Sequence, residues 1–328
     1  MTSRWKARVL SFALAAAALA VPLRASADRS STTIEQGYES GEIQHPRLVA
    51  MGGAQAALGT STNAIFANPA NLALARVYHF EGLAAVGPEA RRQSYGGAIA
   101  DSSTNRVAGG IGGTWNIMDP DGIRRIWTDI RLALAFPFAD RFSVGLAGRY
   151  LRITQSIASG PLGGSFVSDG LAGEPVVNNF TFDAGATVVP FGGLRIGAFG
   201  RNLTVPGHGF MPTQTVLGVG YTSGIFSFEG DWLTDFTTYS GVRMRAMAGG
   251  EVLVADRVPI RLGYRYEDGL KVHSASVGVG YVDRKWSVEV GARRDLVSDH
   301  PSTTISAGLR FFYDQVGANE DPETNGAL

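Results

Sequence analysis

Along most of the chain the apolar residues recur at every second position. In the segment from Lys285 to Arg293, Trp286, Val288, Val290 and Ala292 alternate with Ser287, Glu289, Gly291 and Arg293. Near the end, Ile305, Ala307, Leu309, Phe311 and Tyr313 alternate with Thr304, Ser306, Gly308 and Arg310. Ile130, Leu132, Leu134 and Phe136 stand against Asp129, Arg131 and Ala133, and Phe226, Phe228 and Trp232 against Ser227, Glu229 and Asp231. A period of two is the signature of a strand with unlike faces. Fourteen such segments are predicted: 77–87, 91–101, 105–116, 127–136, 141–154, 178–189, 193–202, 213–222, 225–233, 241–252, 258–266, 272–281, 284–295 and 302–313. Most run roughly 9–12 residues, well above the usual 5–6 of globular strands, and that length crosses a bilayer when tilted.

The connections alternate too. Pro137–Asp140, Pro190–Gly192, Ser223–Gly224 and Val282–Asp283 are tight, whereas 117–126, 155–177, 203–212, 234–240 and 296–301 are longer. Outer-membrane barrels have short periplasmic turns and longer external loops, and an even strand count returns the chain to its starting side. The first hairpin, near Pro88, is short for an external loop. One face of the pattern is apolar. The other carries Gly, Ser, Thr and charges, which suits a lumen: Arg195, Arg201, Glu229, Asp231, Arg243, Arg245, Arg261, Arg265, Glu289, Arg293 and Arg310, with Arg149, Asp183 and Glu251 beside them. Aromatic residues near strand ends, Trp127, Phe180, Trp232, Trp286 and Tyr313 among them, suit a membrane interface. The reading is all-β: a 14-stranded antiparallel transmembrane β-barrel over residues 77–313.

The N-terminus supplies a route. Arg4, Lys6 and Arg8 precede an apolar, Ala-rich run from Val9 to Leu23, followed by Ala25-Ser26-Ala27. This is the pattern of a secretory signal peptide over residues 1–27. It predicts export towards the outer membrane of a Gram-negative bacterium. The chain has 29 basic and 29 acidic residues, and the leader takes four bases and no acid with it. The exported chain is therefore mildly acidic, which argues against a nucleic-acid partner. No cysteine is present, so disulfides, thiol nucleophiles and thiolate metal sites are excluded. The 43 glycines are roughly twice the usual share.

Residues 28–76 do not alternate. Met51-Gly52-Gly53-Ala54 and Asn68-Pro69-Ala70 punctuate this stretch, and Asn68 before Pro69 is a good helix start. Two short helical turns with glycine-permitted bends are expected. These elements resemble the N-terminal signature of the FadL-type outer-membrane transporters and their smaller PorV-like relatives. In that superfamily a Met-Gly-Gly-Ala element and an Asn-Pro-Ala element precede fourteen strands. Gly200-Arg201-Asn202-Leu203 and Pro259–Tyr264 have a similar texture. The resemblance implies that residues 28–76 fold into the barrel as a hatch. It implies passive uptake of small hydrophobic, fatty-acid-like molecules. It also points to a lateral opening at the third strand, where Gly109, Gly110, Gly112 and Gly113 would permit a kink. The alternative is a non-transporting PorV-like partner of secretion machinery.

The chain departs from that pattern in having modest loops and a tail beyond the last strand. Ser306, Gly308, Phe311 and Tyr313 resemble the signal read by the barrel-assembly machinery, yet residues 314–328 follow with four acids and no base. That tail reads as a disordered periplasmic extension. Outer-membrane lipid and a small hydrophobic ligand are the remaining expected partners. Enzyme chemistry has little support. The histidines, at 45, 79, 208, 273 and 300, show no metal-ligand spacing, no nucleophile elbow occurs, and Asp119-Pro120-Asp121-Gly122 lacks the later ligands of a calcium loop. No cofactor or metal is expected.

Overall fold

A computed structural model describes residues 42–118, 124–139, 141–155, 175–206, 211–298 and 301–313. The predicted signal peptide, the start of the hatch, the 119–122 motif, His208, His300 and the acidic tail lie outside these residues. Fourteen strands form one closed antiparallel barrel in which each strand pairs with its sequence neighbour and β1 closes on β14. They are β1 (Tyr78–Gly87), β2 (Arg92–Asp101), β3 (Ala108–Met118), β4 (Arg125–Ala139), β5 (Phe142–Gln155), β6 (Pro175–Phe191), β7 (Leu194–Arg201), β8 (Gln214–Ser223), β9 (Phe226–Asp235), β10 (Arg243–Val254), β11 (Val258–Glu267), β12 (Val272–Val282), β13 (Trp286–Val297) and β14 (Thr303–Phe312). The expected fold class is the observed one, with every strand boundary within three residues of its predicted place.

Alternation explains why the sheet closes. Closure pairs Phe80 with Phe311 and Leu83 with Gly308 across the β1–β14 seam, so no strand edge is left open. In lipid that is obligatory, because unpaired backbone groups there have no water to bond. The outward positions form an apolar wall: Leu132 is 57% exposed and Leu262 65%. No helix among the described residues is long and apolar enough to cross a membrane; the strands make the crossing. Aromatic pairs gather at the turn end, Tyr78 with Tyr313 and Tyr281 with Trp286. Trp127 departs from the expected interfacial belt. It faces inward and is 4% exposed, because it shares the parity of Asp129 and Arg131.

Residues 42–76 lie inside the barrel. Helix α1 (Pro46–Ala50) starts at His45, whose Nδ1 accepts from the Arg47 amide at 3.2 Å. Gly52 (φ +67°) and Gly53 (φ +98°) then reverse the chain in a region that L side chains rarely adopt. Helix α2 (Thr62–Phe66) and a 3-10 turn (Pro69–Leu74) follow. The Asn68 side chain accepts from the Ala70 amide at 3.1 Å and so caps that turn.

The inner wall is shaped to this segment. An added Cβ at Gly197 would lie 2.0 Å from the Ala56 carbonyl oxygen, and one at Gly145 2.4 Å from the Ala70 nitrogen. Gly249 and Gly263 make the same room beneath Met51 and Gly52, and Gly291 beneath Pro46. These glycines occupy inward positions in the half of the barrel nearest the tight turns. The glycine excess of the sequence is therefore largely a seat, with backbone laid against backbone.

Candidate functional site

Two acidic residues of β9 hold the middle of the internal segment. Asp231 Oδ2 accepts from the amides of Gln55 and Ala56 at 2.7 and 2.9 Å. Glu229 Oε1 accepts from the amides of Ala57 and Leu58 at 2.5 and 3.1 Å. Both carboxylates are buried. They face inward because they sit two apart on one strand, and they meet four successive amides that no helix or strand uses. Charge-assisted bonds of this kind are about twice as strong as neutral ones.

Other polar anchors complete the ring. Asn68 Nδ2 donates to the Ala56 carbonyl and to Thr187 Oγ1 at 2.8 and 3.0 Å, and Thr187 donates to Asn71 at 2.6 Å. Glu81 accepts from Thr62, pairs with His45 at 3.0 Å and with Arg310 at 3.1 Å. Arg47 and Arg261 converge on Glu251, and Arg261 also reaches Glu289 at 3.1 Å. Apolar packing fills the rest: Ile65 and Phe66 enter a core with Leu72, Leu83 and Ala98.

Above this segment, towards the loop end, the lumen is filled by ion pairs. Asp129 is held by Arg149 at 2.6 Å and by Arg131 at 3.2 Å, and Arg149 also donates to Asn202 at 3.0 Å. Glu42 lies among Arg245, Arg201 and Arg265, and Arg245 pairs in turn with Glu267. Arg131 and Arg149 are each 1% exposed. Buried charges are retained when opposite charges stand beside them, and each of these lies in an ion pair.

At the loop end the inner wall changes character. Ala90, Met118, Trp127, Leu151, Ile153, Val177 and Met211 form a buried apolar cluster. The Arg92 guanidinium lies 5.2 Å from the Trp127 ring centroid. None of its members is among the residues expected at a functional site. The parity of β4 and β5 was the available signal, since Trp127 sits two residues from Asp129, and Leu151 two from Arg149.

The predicted residues fall as follows. Met51 and Ala54 are fully buried, and Gly52 and Gly53 form the bend between α1 and the latched amides. Asn68, Pro69 and Ala70 are buried against β5 and β6. Arg201, Glu229, Asp231, Arg245, Arg261, Arg265, Glu289 and Arg293 are buried in the lumen, and Arg310 and Arg195 are partly buried there. Arg243 is a correction. It starts β10 at the rim, is exposed, and pairs with Asp268 at 3.4 Å, because the strand has already left the filled lumen there.

The lateral opening at β3 is a second correction. β3 pairs without a register break with β2 over 109–117 and with β4 over 108–118. Its inward glycines receive the internal segment instead: a Cβ at Gly110 would meet Ile65, and one at Gly112 would meet Phe66. Gly109 and Gly113 face outward. Of the terminal motif, Ser306 donates to the Gln44 carbonyl, Gly308 makes room for Pro46, Phe311 faces lipid and Tyr313 packs on Tyr78.

Among solved structures, the toluene transporter TbuX of Ralstonia pickettii superposes with a TM-score of 0.59 at 14% identity, over 83% of this chain and 98% of that one. The fold is of the FadL type. The CymD monoaromatic hydrocarbon channel aligns at a TM-score of 0.61 and 13% identity, over 82% of this chain and 97% of that one. A FadL homologue of Pseudomonas aeruginosa gives 0.53 and 14%, over 82% and 96%. No protein-family model matches the chain, and no curated protein matches it in sequence. In this FadL-type fold the segment 42–76 occupies the lumen as a hatch, latched by Asp231 and Glu229.

Proposed function

We propose that the protein is an outer-membrane channel for passive uptake of small hydrophobic, fatty-acid-like molecules. The observation that carries this reading is the apolar cluster around Trp127 at the loop end, beyond the layer of ion pairs. Met118, Trp127, Leu151 and Ile153 point inward where a barrel needing only solubility would carry polar groups. These side chains are at most 4% exposed, so a solute must part them to enter, and it then gains about 25 cal/mol for each Å² it buries against them. The similar solved structures, a toluene transporter and a monoaromatic hydrocarbon channel, accord with a small hydrophobic solute. Passage then requires the arginine layer and the hatch to yield.

The hatch and the ion pairs that occupy the lumen favour a second reading, a non-transporting partner protein of the PorV-like kind. Uptake by proteoliposomes separates the two. Toluene and a medium-chain fatty acid should enter faster than into empty liposomes, and Trp127→Ala should slow the entry several-fold. Entry no faster than into empty liposomes would favour the partner reading.

A further inference from the structure

Below the hatch, at the turn end, the barrel keeps a vestibule of about 1060 Å³ between the last hatch residues and the tight turns. Among the described residues its charged lining has one sign: Arg76, Arg106 and Arg195 contribute, and no acid does. Arg76 donates to the Ser103 carbonyl at 3.0 Å, and Arg106 lies 5.0 Å from the Phe136 ring centroid with an Nη2 contact of 3.4 Å to the Pro137 carbonyl. Those partners are neutral. Arg195 makes no hydrogen bond or ion pair within 4 Å among the described residues, although it is only partly exposed; Glu229, two strands away, attracts it from a distance while its carboxylate is turned to the hatch amides. The nearby acids are committed elsewhere. Glu229 holds the Ala57 and Leu58 amides, and Asp101 holds those of Ser103 and Thr104.

A concave, one-signed site focuses its field on counter-ions, and a guanidinium fork matches a carboxylate in particular. Leu74, Ala108 and Val189 line the same space, so an apolar body can lie beside a charged head. We propose that this vestibule is a binding site for a small amphipathic carboxylate, with its head on Arg195 and its body along Leu74 and Val189. Such a carboxylate has two sources: a free organic acid, or the chain's own Asp314, Glu320, Asp321 and Glu323, which follow Tyr313 at this end of the barrel.

The test is a fluorine NMR titration of the purified full chain in detergent with 4-fluorobenzoate, and with neutral 4-fluorobenzamide as its isostere. Saturable binding of the benzoate alone is expected. Arg195→Gln should weaken it at least tenfold, while Arg243→Gln at the opposite rim should leave it unchanged. A full-length variant with the four tail acids converted to their amides distinguishes the sources. Tighter benzoate binding in that variant shows that the tail shares the site, and unchanged binding shows that a free acid is the ligand. Both results support the carboxylate assignment. Equal binding of the benzamide, wild-type affinity in Arg195→Gln, or no saturable binding in either the native chain or the amidated variant overturns it. None of these readouts requires a solute to cross the barrel, so the outcome stands apart from the channel reading.

Discussion

Replacing Asp231 by Ala removes the acceptor of two buried amides, Gln55 N and Ala56 N. A buried donor left without a partner costs ~1–3 kcal/mol, so the seated hatch loses roughly 2–6 kcal/mol relative to an unseated one. At about 1.4 kcal/mol per tenfold, local opening becomes about thirtyfold to more than 10⁴-fold more frequent. The strands lose nothing comparable, because Asp231 contributes its side chain, not its backbone, to the hatch. Amide hydrogen exchange in detergent, followed by mass spectrometry, reads this directly. Peptides covering residues 54–59 should exchange faster by at least thirtyfold, while peptides from β12 to β14 should stay protected. Glu229→Ala should act on the Ala57 and Leu58 amides in the same way. The two effects will not add, since the acids are neighbours on one strand and hold one continuous segment. Unchanged exchange at 54–59 in Asp231→Ala would refute the idea that this carboxylate latches the hatch. Uniformly faster exchange across the barrel would refute the idea that the latch is local.

Gly197→Ala places a methyl 2.0 Å from the Ala56 carbonyl and should lower the unfolding temperature or unseat the hatch, at a cost of ~1–3 kcal/mol from overpacking. Gly82→Ala, with nothing within 4 Å of the new atom, should change stability by no more than about 0.5 kcal/mol. Arg149→Leu leaves Asp129 partly unpaired in the lumen and should cost about 3–5 kcal/mol in denaturant unfolding. Asp129→Asn in the same background should recover part of that loss. At the loop end, burial opposes ionisation of Glu89, but hydrogen bonds from Thr303, with Arg294 beside them, prevail and hold its carboxyl below the ordinary value of 4.5. A depressed folded-state pKa stabilises above the unfolded value and is lost as the pH falls through the folded one. The tie between the β1–β2 turn and the start of β14 should therefore hold near neutrality and release only in acid below the ordinary value. Exchange at the Thr303 amide across that range measures it.

The alternation of apolar and polar positions is enough to dictate the barrel. A period of two, maintained over long segments and punctuated by tight turns, has one solution in lipid, because each strand must pair on both sides and present one apolar face. The same alternation placed Glu229, Asp231, Arg261 and Glu289 in the lumen, and Asn68-Pro69 marked a capped turn. Parity also held the position of Trp127, which was misassigned because aromatic character near a strand end outweighed the face it shares with Asp129.

What the inward residues do depends on contacts made after the chain has folded. Glycines in β3 permit either a kink or a close neighbour. Ile65 and Phe66 settle which, and they lie more than forty residues before those glycines along the chain. Arg195 and Arg201 share one face of one strand, yet the first lines a vestibule with no ion pair within 4 Å among the described residues and the second is tied to Glu42. A strand pattern fixes direction relative to the wall. Partnership depends on height and on what crosses the lumen there, and that is set by the path of a segment with no period of its own.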